Sequence, residues 1–163
     1  MKYYYLVILT IISDQLSKKW IDTNMLQYES WDIIGSFLRF TYVKNPGIAF
    51  GISIGGYTLL LVLLSILATI FVAYVHWTER KNHPLISNGL ALILGGAIGN
   101  LIDRLSVLFV DKYEGVIDFI DIGTSTYRWY TFNLADTAVT IGMTLYVLHS
   151  ILIVSAKPNN ENV

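Results

Sequence analysis

The chain of 163 residues is long enough for one domain, yet 54% of it is apolar and only 14% is charged. That excludes a water-soluble globule, which needs a charged coat that lipid does not demand. A net charge of −1 without a basic run excludes the electrostatic footprint of a nucleic-acid binder, and the lack of cysteine excludes disulfides, thiol nucleophiles and thiolate metal sites.

A helix needs about 20 residues to cross the hydrocarbon core. The first apolar run, Tyr3 to Ile12, reaches that length only if the helix continues through Asp14, Gln15 and Lys18 to about residue 20. Those polar groups must then face the inside of a helix bundle. Met1, Lys2 and the run behind them resemble a signal peptide. Ser-Asp-Gln follows instead of a small-x-small cleavage site, so the segment is expected to be retained. Residues 28–50 read as a surface β region: FLRFTYV alternates Leu38, Phe40 and Tyr42 on one face, and Asn45-Pro46-Gly47 makes a turn.

Three further spans follow, over residues 57–77, 85–102 and 131–156. Aromatic residues such as Trp20, Tyr57, Trp77, Trp129 and Tyr130 mark their ends. Gly95 and Gly99 form a small-xxx-small pair that lets the third helix approach a neighbour closely. Ser106 to Arg128 is a long connection, and residues 157–163 are expected to be a disordered tail. The fold expected is an α-helical integral membrane protein: one membrane-embedded domain over residues 1–156, with four transmembrane helices and a small β-sheet at the membrane surface.

Alternating topology brings the polar residues to one membrane face. Asp14 to Lys18 close the first helix, and Asn45 to Gly47 precede the second. Asn100, Asp103 and Arg104 close the third, Asp118 lies in the next loop, and Asn133 and Asp136 open the fourth. His76, His83 and His149 map toward the opposite face, so the crowded end offers carboxylates without imidazole or thiolate. Catalytic zinc generally takes histidine, and no Ser-His or Ser-Lys pair is evident; no metal and no cofactor are expected.

Two carboxylates close together in low dielectric share a proton, so one can take a proton from water while the other polarises a carbonyl. Asp136 sits in the first turn of its helix, where the dipole favours an anion, and Asn133 lies one turn earlier on the same face. Asp118 and Asp121 compete for the second role. Asp103 reads as an ion pair with Arg104, or Arg104 as a contact for a lipid headgroup or the dyad. Asp14 reads as a hydrogen-bonding hub with Lys18 one turn away. Counting lysine and arginine would put the crowded face in the cytoplasm, but the site carboxylates engage several of those cations. Charge alone leaves the orientation open.

With these runs assembled, the chain resembles the lipoprotein signal peptidase family, also called signal peptidase II. The matching blocks are DQLSK at Asp14, NPGIAFG at Asn45, GGAIGNLIDR at Gly95, VIDFID at Val116 and FNLADTAVTIG at Phe132, in family order over nearly the whole length. Thr137 stands where serine is common. The resemblance implies a bacterial aspartic endopeptidase that removes signal peptides from diacylglyceryl-modified prolipoproteins, with Asp118 and Asp136 as the catalytic pair. It places Asp14, Lys18, Asn45, Gly47, Asn100, Asp103, Arg104, Asn133 and Ala135 around the site.

It also implies the cytoplasmic membrane, with both termini cytoplasmic and the site and its sheet facing outward; a monomer is expected. The partners it implies are lipid-modified prolipoproteins, membrane lipids and globomycin-type inhibitors, with no nucleic acid. A proton channel or transporter would need polar residues along the full helix depth, whereas the second helix is almost purely apolar. A presenilin-type protease would carry Gly-x-Gly-Asp, which is absent.

Overall fold

The computed structural model describes residues 3–47, 58–79, 81, 83–110 and 114–156. Tyr57, residues 48–51 of the NPGIAFG block and the 157–163 tail lie outside the described residues. The elements run α1 (Tyr4–Asn24), β1 (Ser30–Ile34), β2 (Leu38–Asn45), α2 (Thr58–Glu79), α3 (Pro84–Phe109), β3 (Val116–Ile122) and α4 (Leu134–Ala156). The chain is a helical membrane protein with a small antiparallel sheet. Helices α2, α3 and α4 each hold a segment long and apolar enough to cross a bilayer.

Helix α1 has the length but carries charge, and its burial pattern shows where the charge goes. Val7, Thr10, Asp14, Lys18 and Ile21 form one buried stripe at helical spacing. Tyr5, Ile8, Leu9, Ile12 and Leu16 are exposed on the rest of its surface. Polar inside and apolar outside is the pattern of a helix whose surroundings are lipid.

Helix α3 is the central post, packed against α1, α2 and α4. It starts where Pro84 fixes the first turn and the His83 ring accepts the Leu85 N–H. Its glycines make the close contacts. A Cβ on Gly95 would lie 2.7 Å from Thr10 Cβ of α1, and one on Gly96 would lie 2.4 Å from the Ala135 carbonyl oxygen of α4. The Gly95–Gly99 pair thus faces α1, and Gly96 sets the spacing to α4. In α2 only Val62 and His76 are buried, with Val72 and Ala73 half-buried against the core, and its exposed apolar residues such as Leu59, Leu63, Leu67 and Phe71 are left for lipid.

Strand order in the sheet is β1-β2-β3, all antiparallel. The third strand departs from the sequence expectation of a plain connection between Ser106 and Arg128. Helix α3 continues to Phe109, and Val116–Ile122 pairs with β2, placing Val43 opposite Asp118. VIDFIDI is rich in β-branched and aromatic residues; its two aspartates mask the strand pattern.

Buried Ile21, Met25, Tyr42, Ile117 and Phe119 form a core that fastens the sheet to the end of α1. Tyr42 donates to the Asp22 carboxylate, adding a polar pin. Residues after β3 fold back beside it: Phe132 N–H donates to Ile120 O at 3.0 Å, and Ile120 N–H donates to Phe132 O at 2.7 Å. That return delivers Asn133 and the start of α4 next to Asp118.

Candidate active site

Asp118 projects from β3 and is 4% exposed. Its Oδ1 accepts from Asn133 Nδ2 at 2.7 Å and its Oδ2 from Asn45 Nδ2 at 3.1 Å. Asn45 is oriented by the turn that follows it, because its Oδ1 accepts the Gly47 N–H at 3.0 Å. Gly47 has φ +108°, where a side chain is strained, and a Cβ there would meet Leu61 Cδ1 at 2.2 Å.

Asp136 stands in the first turn of α4 and closes a capping box with Asn133. The Asp136 N–H donates to Asn133 Oδ1 at 2.9 Å, and the Asn133 N–H donates to Asp136 Oδ2 at 3.2 Å. The other oxygen, Oδ1, accepts from Asn100 Nδ2 at 2.8 Å. Asn133 therefore bonds both carboxylates, one through its side-chain amide and one through its backbone. Burial pushes the Asp118 carboxyl up from its ordinary 3.8 to about 7; the Asp136 charge adds to the rise, while the amides of Asn45 and Asn133 oppose it.

Behind the pair lies a buried ionic cluster. Lys18 Nζ is 2.7 Å from Asp14 Oδ2 and 2.7 Å from Asp103 Oδ2. Asp14 Oδ1 reaches the α4 terminus, accepting the Ala135 N–H at 2.9 Å, and satisfies a backbone group the helix leaves open. Ala135 has no exposed surface, and a Cβ on Gly99 would strike Asp14 Oδ2 at 2.6 Å. Gln15 ties α1 to α3 through Gly99 O at 3.1 Å and Asp103 Oδ1 at 3.2 Å.

The expected Asp103–Arg104 ion pair is not what forms. Consecutive helix residues point about 100° apart, so Asp103 turns inward to Lys18 while Arg104 lines the open side of the site. Lys18, fully enclosed, cannot touch a substrate carbonyl or a headgroup. Asp121, the rival to Asp118, is also engaged: its Oδ1 accepts from Arg128 Nε at 2.9 Å and its Oδ2 from Thr41 Oγ1 at 2.9 Å.

The two aspartates line a cleft of about 790 Å³, together with Tyr28, Asn45, Arg104 and Trp129. The sequence reading did not assign Tyr28 and Trp129 to the site, nor Gln15. Tyr28 has φ +70°, which no local pattern announces. The histidines lie elsewhere in the fold: the His83 and His149 rings are 4.3 Å apart, and His76 packs edge-on against Tyr4 at the start of α1.

Residues 6–152 match the signal peptidase (SPase) II family. A lipoprotein signal peptidase of Moorella thermoacetica is 41% identical over 143 residues, covering 88% of each chain. One of Shewanella loihica is 38% identical over 172 residues, covering 100% of this chain and 93% of its own. A solved bacterial membrane enzyme superposes with a TM-score of 0.81 at 28% identity, covering 99% of this chain and 94% of its own. A second gives a TM-score of 0.76 at 30% identity, covering 97% and 94%. The chain belongs to the signal peptidase II family and is a membrane-embedded peptidase.

Proposed function

We propose that this protein is an aspartic endopeptidase that cuts the signal peptide from diacylglyceryl-modified prolipoproteins at the bilayer surface. The observation that carries the reading is the pairing of Asp118 with Asp136 through Asn133 at the floor of an open cleft. The relatives' names supply the substrate class. The half-buried Asp136, at the positive end of α4, holds the charge and takes a proton from the attacking water. The buried Asp118 holds the shared proton and gives it to the developing oxyanion of the scissile carbonyl. Asn45 and Asn133 hold Asp118 in line, and Arg104 sits at the cleft wall where a headgroup phosphate or glycerol ester would lie.

This mechanism fixes the sign of the pH dependence. Asp118 must be protonated, so activity falls as pH rises through about 7. Cleavage rates of a lipidated precursor across pH 5 to 9 should show that descending limb. Rates that instead climb through this range would remove Asp118 from the acid role.

The same reading sets four spans in the bacterial cytoplasmic membrane, with a monomeric domain over residues 1–156, both termini cytoplasmic and the cleft outward. The inward turn of Asp14 and Lys18 supports α1 as the fourth span. Because the chain has no cysteine, single cysteines can report its orientation. Tyr28→Cys should react with an impermeant maleimide added to intact spheroplasts, and Lys81→Cys should react only after lysis. The reverse labelling would invert the topology. Globomycin-type inhibitors should compete with precursor for the cleft.

A further inference from the structure

Lys18 is 2% exposed; its Nζ donates to Asp14 Oδ2 at 2.7 Å and Asn100 Oδ1 at 3.0 Å, and forms an ion pair with Asp103 Oδ2 at 2.7 Å. A buried ammonium persists only when so surrounded. Two of these partners are counter-charges; the third is not. The Asn100 carbonyl gives Lys18 no charge compensation, but it connects the ammonium to the dyad.

Asn100 Oδ1 accepts from Lys18 and also from Asn133 Nδ2 at 3.1 Å. Its amide is then left to face Asp136 Oδ1 at 2.8 Å. A half-turn of the Asn100 amide would aim N–H bonds at an ammonium and at another amide, and an oxygen at a carboxylate. All these contacts are repulsive, so the orientation is locked from the Lys18 side. Asn133 is locked in turn, with Oδ1 on the Asp136 N–H and Nδ2 on Asp118.

We propose that Lys18 is a positioning residue for hydrolysis: by holding the Asn100 carbonyl it obliges the Asn100 amide to donate to Asp136. That keeps the negative charge of the dyad on Asp136 and its proton on Asp118. The inference rests on the Asp118–Asp136 reading. Other charged groups around the dyad are Asp14 of α1, Asp103 and Arg104 of α3, Lys44 of β2, and Glu114 ahead of β3. Among the described residues, Lys18 is the one cation that reaches a dyad oxygen through a single side chain.

The test compares Lys18→Met, Asp103→Asn and the double variant Lys18→Met/Asp103→Asn, with Asp136→Asn as the marker for the dyad. Cleavage of a diacylglyceryl-modified precursor is followed across pH, and thermal unfolding is measured in the same detergent. Lys18→Met should lower kcat at least about tenfold with little change in KM. It should also move the acid limb of the profile upward, since the Asn100 amide is no longer held toward Asp136. The double variant removes a charge of each sign together and should recover stability without recovering the acid limb. If it recovers both, or if the limb stays unshifted, Lys18 serves packing alone and the proposal is overturned. Normal cleavage by Asp136→Asn would be a different outcome, overturning the dyad reading itself.

Discussion

Asparagine at position 118 or at position 136 should abolish precursor cleavage, with a loss of roughly a thousandfold or more for either variant. In the proposed mechanism each substitution removes a group that must exchange a proton, and the surrounding network cannot supply another. The Asn45 amide is fixed by the Gly47 N–H, and the Asn133 amide by the Asp136 N–H. An asparagine at 118 therefore has to turn its own N–H bonds toward one of two fixed donors. Leaving that pair unsatisfied costs about 1–3 kcal/mol, which a four-helix packing can absorb while the protein still inserts.

Asp121→Asn is the matched control. It weakens an ion pair with Arg128, beyond the turn that follows β3, away from the cleft floor, and should process precursor at close to the normal rate. Gel-shift analysis of lipidated precursor in membranes, with immunodetection of each variant, separates lost chemistry from lost protein. Normal processing by either dyad variant sinks the mechanism. Loss in Asp121→Asn alone would transfer the acid role to the wrong end of β3.

The sequence made the site legible through topology more than through local pattern. Asp118, Asp136, Asn45, Asn100 and Asn133 are far apart along the chain, and alternating spans already brought them to one end. The division of labour among them was not legible. Asp103 and Arg104 are neighbours in sequence, yet they face different environments, one the Lys18 cluster and one the cleft. Only the rotation of α3 against α1 decides this.

Strand β3 was hidden for a related reason. Its aspartates read as loop chemistry, because the partner that absorbs Asp121 is Arg128, beyond the next turn, and those that absorb Asp118 are the amides of Asn45 in β2 and Asn133 just before α4. The choice between Asp118 and Asp121 came from motif order. Asp121 is satisfied by a guanidinium and a hydroxyl, whereas both Asp118 oxygens accept from neutral amides.

A methyl group at Gly96 should be far more damaging than its size suggests. A Cβ there would lie 2.4 Å from the carbonyl oxygen of Ala135 and 2.8 Å from Val139 Cγ2. The valine side chain has other rotamers; the carbonyl belongs to the first turn of α4 and has nowhere to go. Relief requires α3 and α4 to part. Overpacking of this kind costs about 1–3 kcal/mol, and a backbone obstacle puts Gly96→Ala near the upper end.

The damage should reach the chemistry, because the same seam carries the bond from Asn100 Nδ2 to Asp136 Oδ1, 2.8 Å long and one turn further along α3. A shift of even half an ångström there loosens the group that orients Asp136, the base of the proposed mechanism. Gly96→Ala should therefore lower the unfolding temperature by several degrees and depress cleavage by more than the loss of folded protein explains. Thermal unfolding in detergent, paired with cleavage per folded molecule, distinguishes the two effects. An alanine variant with unchanged stability and rate would mean that the α3–α4 spacing is not set by this glycine and that the dyad tolerates movement of its helix.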